Sequence, residues 1–80
     1  MADKEFTFSI IKTFGQLSSN RNGWNREANL VSWNGGQPKF DIRDWAPDHS
    51  KMGKGISLNS EEAAILKEIL DEKDVFDAEG

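Results

Sequence analysis

Hydrophobic and polar residues alternate with a period of two in the middle of the chain, which is the spacing of an extended strand. In the segment KFDIRDW, residues 39–45, the apolar side chains Phe40 and Ile42 stand at every second position. Successive side chains of a strand point to opposite sides, so one face is apolar and the other is mostly charged. The charged face carries Lys39, Asp41, Arg43 and Trp45. Cations beside an aromatic ring indicate a surface for single-stranded nucleic acid, through phosphate charge and base stacking.

The preceding segment, residues 24–33, alternates in the same way and is joined to this strand by NGGQ, a Gly-rich hairpin signal. A two-residue loop at Asn34-Gly35 or at Gly35-Gly36 gives the same pairing parity, whereas a three-residue loop would reverse it. The two-residue loop predicts that one face holds Trp24, Arg26, Ala28 and Leu30 together with Lys39, Arg43 and Trp45. It predicts that the other face holds Val31 and Trp33 together with Phe40 and Ile42.

Two predicted neighbours across this hairpin suggest an anionic ligand. With the Asn34-Gly35 loop, Trp24 lies opposite Trp45 and Arg26 lies opposite Arg43. Two arginines facing each other across a sheet repel unless a negative group lies over them. The pairing therefore favours a polyanion as the ligand of this face.

The rest of the chain predicts two more strands and one helix. A period-two pattern runs from Glu5 to about Leu17, a polar loop covers residues 18–23, and a short strand covers residues 55–58. Asn59 and Glu62 have the spacing of a capping box, and an apolar stripe of helical period continues to about residue 73. We expect an α+β fold in one domain over residues 1–80: a curved four-stranded antiparallel sheet followed by one C-terminal helix that covers its apolar face, with a frayed tail over residues 73–80.

Composition and charge define the class of protein. A chain of 80 residues with 36% hydrophobic residues and no cysteine buries a small core, which favours a homodimer. Without cysteine, a signal pattern or an apolar run of about 20 residues, it is expected to be cytoplasmic and not to bind membranes. The net charge of −4 is unevenly distributed: residues 6–60 carry +3 and residues 61–80 carry −6. An acidic helix on the opposite side of the sheet need not cancel a basic surface, because physiological salt screens the charge of the helix over about 8 Å.

Enzymatic chemistry has little support in the sequence. His49 is the single histidine, and the consecutive residues Asp48, His49 and Ser50 cannot form a catalytic triad, so His49 is expected to be a solvated loop residue. A zinc site would need mostly carboxylates, and no metal, cofactor or catalytic residue is predicted. Asp41 is expected to position Arg43 or Lys39.

The segment KMGKG, residues 51–55, is a second candidate contact. Its glycines allow close approach of the backbone to phosphate, and Lys51 and Lys54 supply positive charge, although GKG alone is a weak motif. The alternative is a mobile loop that enters the fourth strand.

These motifs carry a family resemblance. DIRDW followed by MGKGISLNSEEAAILKEIL resembles the C-terminal domain of transcriptional positive cofactor four, a single-stranded-DNA-binding coactivator. The longer pattern, GWNREANLVSWN with PKFDIRDWAPDHSKMGKGISL, is similar to the small bacterial YdbC-type members, and the similarity covers about residues 24–70. The resemblance implies a homodimer whose sheets bind single strands. Its aromatic contacts match Trp33 or its neighbourhood and Trp45, and its basic contacts match Lys39, Arg43 and Lys54.

The sequence thus predicts a non-enzymatic, homodimeric protein that binds single-stranded DNA with little sequence preference. Such an activity serves transcription regulation, replication, repair or recombination. The alternatives are single-stranded RNA binding and a protein-interaction module that uses the Trp-rich face. Trp24 and Trp45 are expected to stack on bases unless they pack in a dimer interface, and Trp33 is either core or contact. The predicted binding residues are Trp24, Arg26, Trp33, Lys39, Arg43, Trp45, Lys51 and Lys54.

Overall fold

The computed structural model describes residues 6–76 and contains one antiparallel sheet followed by one helix. The four strands lie in sequence order, each paired with the next. This confirms the predicted β-β-β-β-α order, with β1 beginning and ending later than expected and β4 beginning earlier. The tail predicted to fray lies partly outside the described residues. The elements are β1 (Phe8–Ser19), β2 (Asn25–Trp33), β3 (Lys39–Trp45), β4 (Met52–Leu58) and α1 (Ser60–Glu72).

The hairpin between β2 and β3 turns at the predicted place but pairs in a different register. Asn34 and Gly35 both have positive φ, 52° and 74°, and the N–H of Gly36 donates to the carbonyl of Trp33, as in a type I′ turn. That turn alone would pair Val31 with residue 38. Instead Val31 pairs with Lys39. The connection therefore holds one residue more than a two-residue turn allows, and it includes residue 38, a proline with no N–H to donate to the ladder.

The shift by one residue makes the predicted grouping of side chains wrong. Arg26 lies opposite Asp44 rather than Arg43, and Trp45 lies opposite Asn25 rather than Trp24. The residues predicted to join the cationic face, Trp24, Arg26, Ala28 and Leu30, lie instead with Phe40 and Ile42. Conversely, Val31 and Trp33 lie with Lys39, Asp41, Arg43 and Trp45. The alternation within β3 itself is confirmed.

The face of Arg43 and Trp45 is concave. The Phe8 ring, which enters the sheet opposite Trp33, lies 5.2 Å from the Trp45 ring. Phe8 and Trp33 lie at the end of the sheet where β3 begins with Lys39, and Trp45 lies at the other end of β3. The two ends are about 20 Å apart at 3.4 Å per residue, so the Phe8 and Trp45 rings meet only if the sheet curls. Register shifts in β1 between residues 10 and 12, 13 and 15, and 16 and 18 provide this bend. We call this side the concave face and the other side the helix face.

The buried core lies on the concave face and not under the helix. Val31 and Trp45 are fully buried there, with the polar residues Glu27, Asn29 and Asp41. Helix α1 begins at the predicted capping box, in which Asn59 and Glu62 bond each other's backbone N–H. None of its residues is buried, and the helix lies loosely on the helix face with Ile65, Ile69 and Leu70 exposed. Within residues 6–76, no helix is long and apolar enough to cross a membrane.

Candidate nucleic-acid interface

Arg43 is held rigidly on the concave face by its neighbour two residues earlier. Its Nε and Nη2 donate to the two carboxylate oxygens of Asp41, at 2.7 and 2.9 Å, which confirms the expected positioning role of Asp41. A third N–H, on Nη1, donates to the carbonyl of Gly53 at 3.3 Å. Gly55 lies opposite Arg43, where an added Cβ would overlap the arginine side chain. The two hydrogen bonds to Asp41 fix the orientation of the Arg43 guanidinium, and the buried carboxylate of Asp41 neutralises its charge.

Trp33 completes a closed set of contacts with this ion pair. The guanidinium carbon of Arg43 lies 4.7 Å from the centre of the Trp33 ring, within the range of a cation–π contact. The indole Nε1 donates to the Ser57 hydroxyl at 3.0 Å, and that hydroxyl donates to Asp41 at 2.6 Å. Each side chain therefore fixes the next.

An aromatic ring from the start of the described chain extends this cluster. Phe6 stacks on Trp33 with ring centres 5.8 Å apart and an angle of 29° between planes, and it is 62% exposed. A shallow pocket of about 290 Å³ opens at this place. Its lining residues are Phe6, Trp33, Arg43, Met52 and Ser57. We call these five residues the aromatic pocket.

Sequence reasoning placed neither Phe6 nor Ser57 in the site. The period-two pattern places Phe6 in the first strand, and no local pattern connects it to Trp33 at the end of β2. Ser57 lies directly opposite Asp41 in the ladder between β3 and β4. A register for that pair of strands would identify Ser57, because the predicted fourth strand, residues 55–58, contains it.

Trp45 is buried rather than available for stacking on a base. It is 0% exposed, and its ring lies 5.2 Å from Phe8 and 5.5 Å from His49. His49 Nε2 contacts the two carboxylate oxygens of Glu27 at 2.9 and 3.0 Å, which closes the β3–β4 loop over the indole. The expectation of an exposed Trp45 is therefore wrong, whereas His49 is a loop residue whose side chain is 39% exposed and also contacts Glu27. Strong curvature, which alternation does not reveal, encloses the Trp45 side chain.

Trp24 and Arg26 lie on the helix face, away from the aromatic pocket. Arg26 forms an ion pair with Asp44, its cross-strand neighbour, at 2.9 Å. The hydrogen bond from Arg26 to Asp44, with their charge attraction, raises the pKa of this exposed guanidinium. The Trp24 ring packs beside Asp44 and Gly53. The structure thus separates this pair from the other predicted binding residues.

The three predicted lysines are exposed, and none of them lines the aromatic pocket. Lys51 and Lys54 flank Met52 and Gly53, which contact the pocket and Arg43. Lys39 lies on the face of Arg43, four residues earlier in β3, or about 14 Å along the strand. Among the described residues, no carboxylate lies within ion-pair distance of these three lysines.

The loop after β3 holds the residues that resembled a catalytic triad. Ser50 donates its hydroxyl and its backbone N–H to Asp48, and these hydrogen bonds lower the pKa of that carboxyl. His49 points the other way, to Glu27. Over residues 6–76, no three His, Cys, Asp or Glu side chains are grouped as a metal site requires.

Comparison with known proteins agrees with the motifs. The family described as Transcriptional Coactivator p15 (PC4) matches residues 20–69, which span β2, β3, β4 and most of α1. An uncharacterized protein of Treponema pallidum (strain Nichols) is 41% identical over 70 residues, covering 88% of this chain and 82% of the relative. The family match includes the DIR segment, the GKGISL segment and the helix stripe. By sequence, the chain belongs to the Transcriptional Coactivator p15 (PC4) family.

Proposed function

We propose that this protein binds single-stranded DNA on its concave face, with little preference for sequence. The family to which it belongs binds single-stranded DNA and is non-enzymatic. The observation that carries the proposal is the aromatic pocket, where an exposed ring and an oriented guanidinium meet, with the exposed lysines Lys39, Lys51 and Lys54 on or beside the same two strands, β3 and β4. Positive charge that follows a phosphate backbone, together with rings that stack on bases, is the common chemistry of single-strand binding.

The proposed division of labour follows from the contacts. Lys39, Lys51 and Lys54 carry unpaired charge and contact phosphates. Arg43 uses three of its five N–H groups within the protein, so two remain to donate to a phosphate or a base oxygen.

Weak sequence preference has a structural reason in this proposal. The Trp33 N–H is bonded to Ser57, and the Ser57 O–H is bonded to Asp41. Both donors are therefore engaged within the protein, and few groups remain to distinguish one base edge from another. Stacking accepts any base, because every base has a π-face.

A homodimer is the second part of the proposal. Two apolar grooves, of about 460 and 300 Å³, lie between α1 and the sheet, on the helix face. The exposed residues Ile65, Ile69 and Leu70 adjoin them. A second copy would cover this surface with the same surface of its own, as a two-fold interface requires, and would leave both concave faces free.

Oligomeric state is measured by sedimentation. We expect a species of twice the 9.0 kDa chain mass, and an Ile69→Asp variant that sediments as a monomer. A wild-type monomer at micromolar concentration excludes the dimer without affecting the proposal for DNA.

The experiment that tests the binding proposal compares three ligands at one ionic strength. Fluorescence anisotropy of labelled oligo(dT), oligo(U) and duplex DNA ranks their affinities for the full chain. We expect oligo(dT) to bind most tightly. Preference for oligo(U) would make RNA the ligand, and equal, weak binding of all three would favour a protein-interaction module instead.

A further inference from the structure

Phe6 is the most accessible ring of the aromatic pocket. The Trp33 indole is half-buried, and Arg43, Phe6 and Phe8 all contact it. Its N–H is also engaged, by Ser57. Phe6 by contrast is 62% exposed and lies on the same pocket. We infer that a nucleobase stacks on Phe6, which makes Phe6 a binding residue and Trp33 its support; the inference rests on the proposed function.

The backbone beside Phe6 is anchored, although it precedes β1. The N–H of Thr7 donates to the Asn34 side-chain oxygen at 2.9 Å, and the Thr7 carbonyl accepts from the Asn34 N–H at 2.7 Å. Asn34 is the positive-φ residue of the β2–β3 turn. The turn therefore ties the start of the chain to the hairpin and holds the Phe6 ring over Trp33 before a ligand arrives. A platform ordered in advance loses less conformational entropy on binding.

An alternative role for Phe6 is that of a plug, which a base must displace from Trp33. A plug fills its pocket and is buried, but this ring is mostly exposed. Displacement would also break its stacking with Trp33 and strain the two hydrogen bonds between Thr7 and Asn34. The two roles predict opposite effects of truncation, because removal of a platform weakens binding and removal of a plug strengthens it.

Substitution of Phe6 distinguishes these roles. We expect Phe6→Ala to weaken oligo(dT) binding about 5- to 150-fold, the range for loss of one stacked base. Phe6→Trp keeps a stacking ring and should bind like the wild type. Phe76→Ala is the matched control, because Phe76 is a 94% exposed aromatic ring outside the aromatic pocket. The urea midpoint should be unchanged in all three variants. Wild-type or tighter binding by Phe6→Ala would overturn the inference.

Photochemical cross-linking locates the stacked base directly. The wild-type complex with oligo(dT) is irradiated, digested, and mapped by tandem mass spectrometry. We expect the adduct on Phe6. An adduct on Trp33 or Trp45 instead would contradict the inference while leaving the proposed function intact. If the wild-type chain fails to bind oligo(dT) at all, the proposed function itself fails.

Discussion

Truncation of Trp45 should destabilise the fold rather than disable a binding site. Trp45 is 0% exposed and contacts Phe8 and His49, so Trp45→Ala leaves a large cavity at the centre of the concave face. Loss of a buried Trp costs about 3–5 kcal/mol of folding free energy. A domain of 80 residues has about 4–12 kcal/mol in total, at roughly 0.05–0.15 kcal/mol per residue. We therefore expect the variant to lose between a quarter and all of its stability.

A more conservative substitution at the same position isolates the packing contribution. The Trp45 N–H is buried and has no hydrogen-bond partner among the described residues. A buried donor left unpaired costs about 1–3 kcal/mol, so Trp45→Phe removes that cost while it opens a smaller cavity. The two effects oppose each other. We expect the stability of Trp45→Phe to lie within about 1 kcal/mol of the wild type.

The assay is urea unfolding followed by circular dichroism, at one protein concentration, with oligo(dT) affinity measured on the same samples. A small protein has a urea slope of about 1 kcal/mol per molar, so Trp45→Ala should lower the midpoint by roughly 3–5 M. Trp33→Ala is the comparison, because its half-buried ring supports the aromatic pocket. It should lose more affinity and less stability. A Trp45→Ala protein with a wild-type midpoint and weakened binding would refute the burial argument.

Three further predictions concern the lysines, the opposing glycine and the loop carboxyl. Changing Lys39, Lys51 or Lys54 to Gln should in each case reduce the log–log salt slope of oligo(dT) binding by about 0.7. The control is Lys67→Gln, which removes a helix lysine paired with Asp71 and should leave the slope unchanged. If one of the first three variants also leaves the slope unchanged, the lysine it replaces is not part of the site. Gly55→Ala should displace Arg43 and reduce both stability and affinity, while Gly15→Ala, where a Cβ meets open space, should keep the wild-type urea midpoint. Ser50→Ala should raise the pKa of Asp48 toward the ordinary carboxyl value of about 3.9, as followed by NMR. Because folding lowers the pKa of Asp48, its ionised carboxyl stabilises the folded state at pH values above the ordinary pKa, and this stabilisation is lost as the pH falls through the folded-state pKa. If Ser50→Ala leaves the acid titration of Asp48 unchanged, the Ser50 hydroxyl is not the cause of the lowered pKa.

Local patterns predicted the elements of this fold because each pattern acts over a few residues. Alternation in β3 separated Phe40 from Arg43, and the capping box located the start of α1. The NGG turn formed where it was expected. The predicted faces of β2 were wrong for a similarly local reason, since the β2–β3 connection holds one residue more than the predicted two-residue loop, which inverts the grouping of every side chain in that strand.

The candidate site could be predicted only in part, because its side chains come from distant segments of the chain. Arg43 and Asp41 are two residues apart, and the sequence was sufficient to pair them. Phe6 reaches Trp33 because the start of the described chain pairs with the end of β2, and this pairing between distant segments has no signal in an alternating pattern. The bend of the sheet also buries Trp45, although alternation alone predicts that its ring is exposed.

The salt dependence of oligo(dT) binding by the wild-type protein tests the central claim most directly. Contact of three lysines with phosphates releases counterions, so the logarithm of the association constant should fall with the logarithm of salt concentration at a slope of about −2 or steeper. Anisotropy titrations over a series of salt concentrations give this slope. Binding that is tight at low salt and falls with such a slope is the predicted result. A slope near zero, or no binding at the lowest salt, would contradict single-strand binding through this charged face.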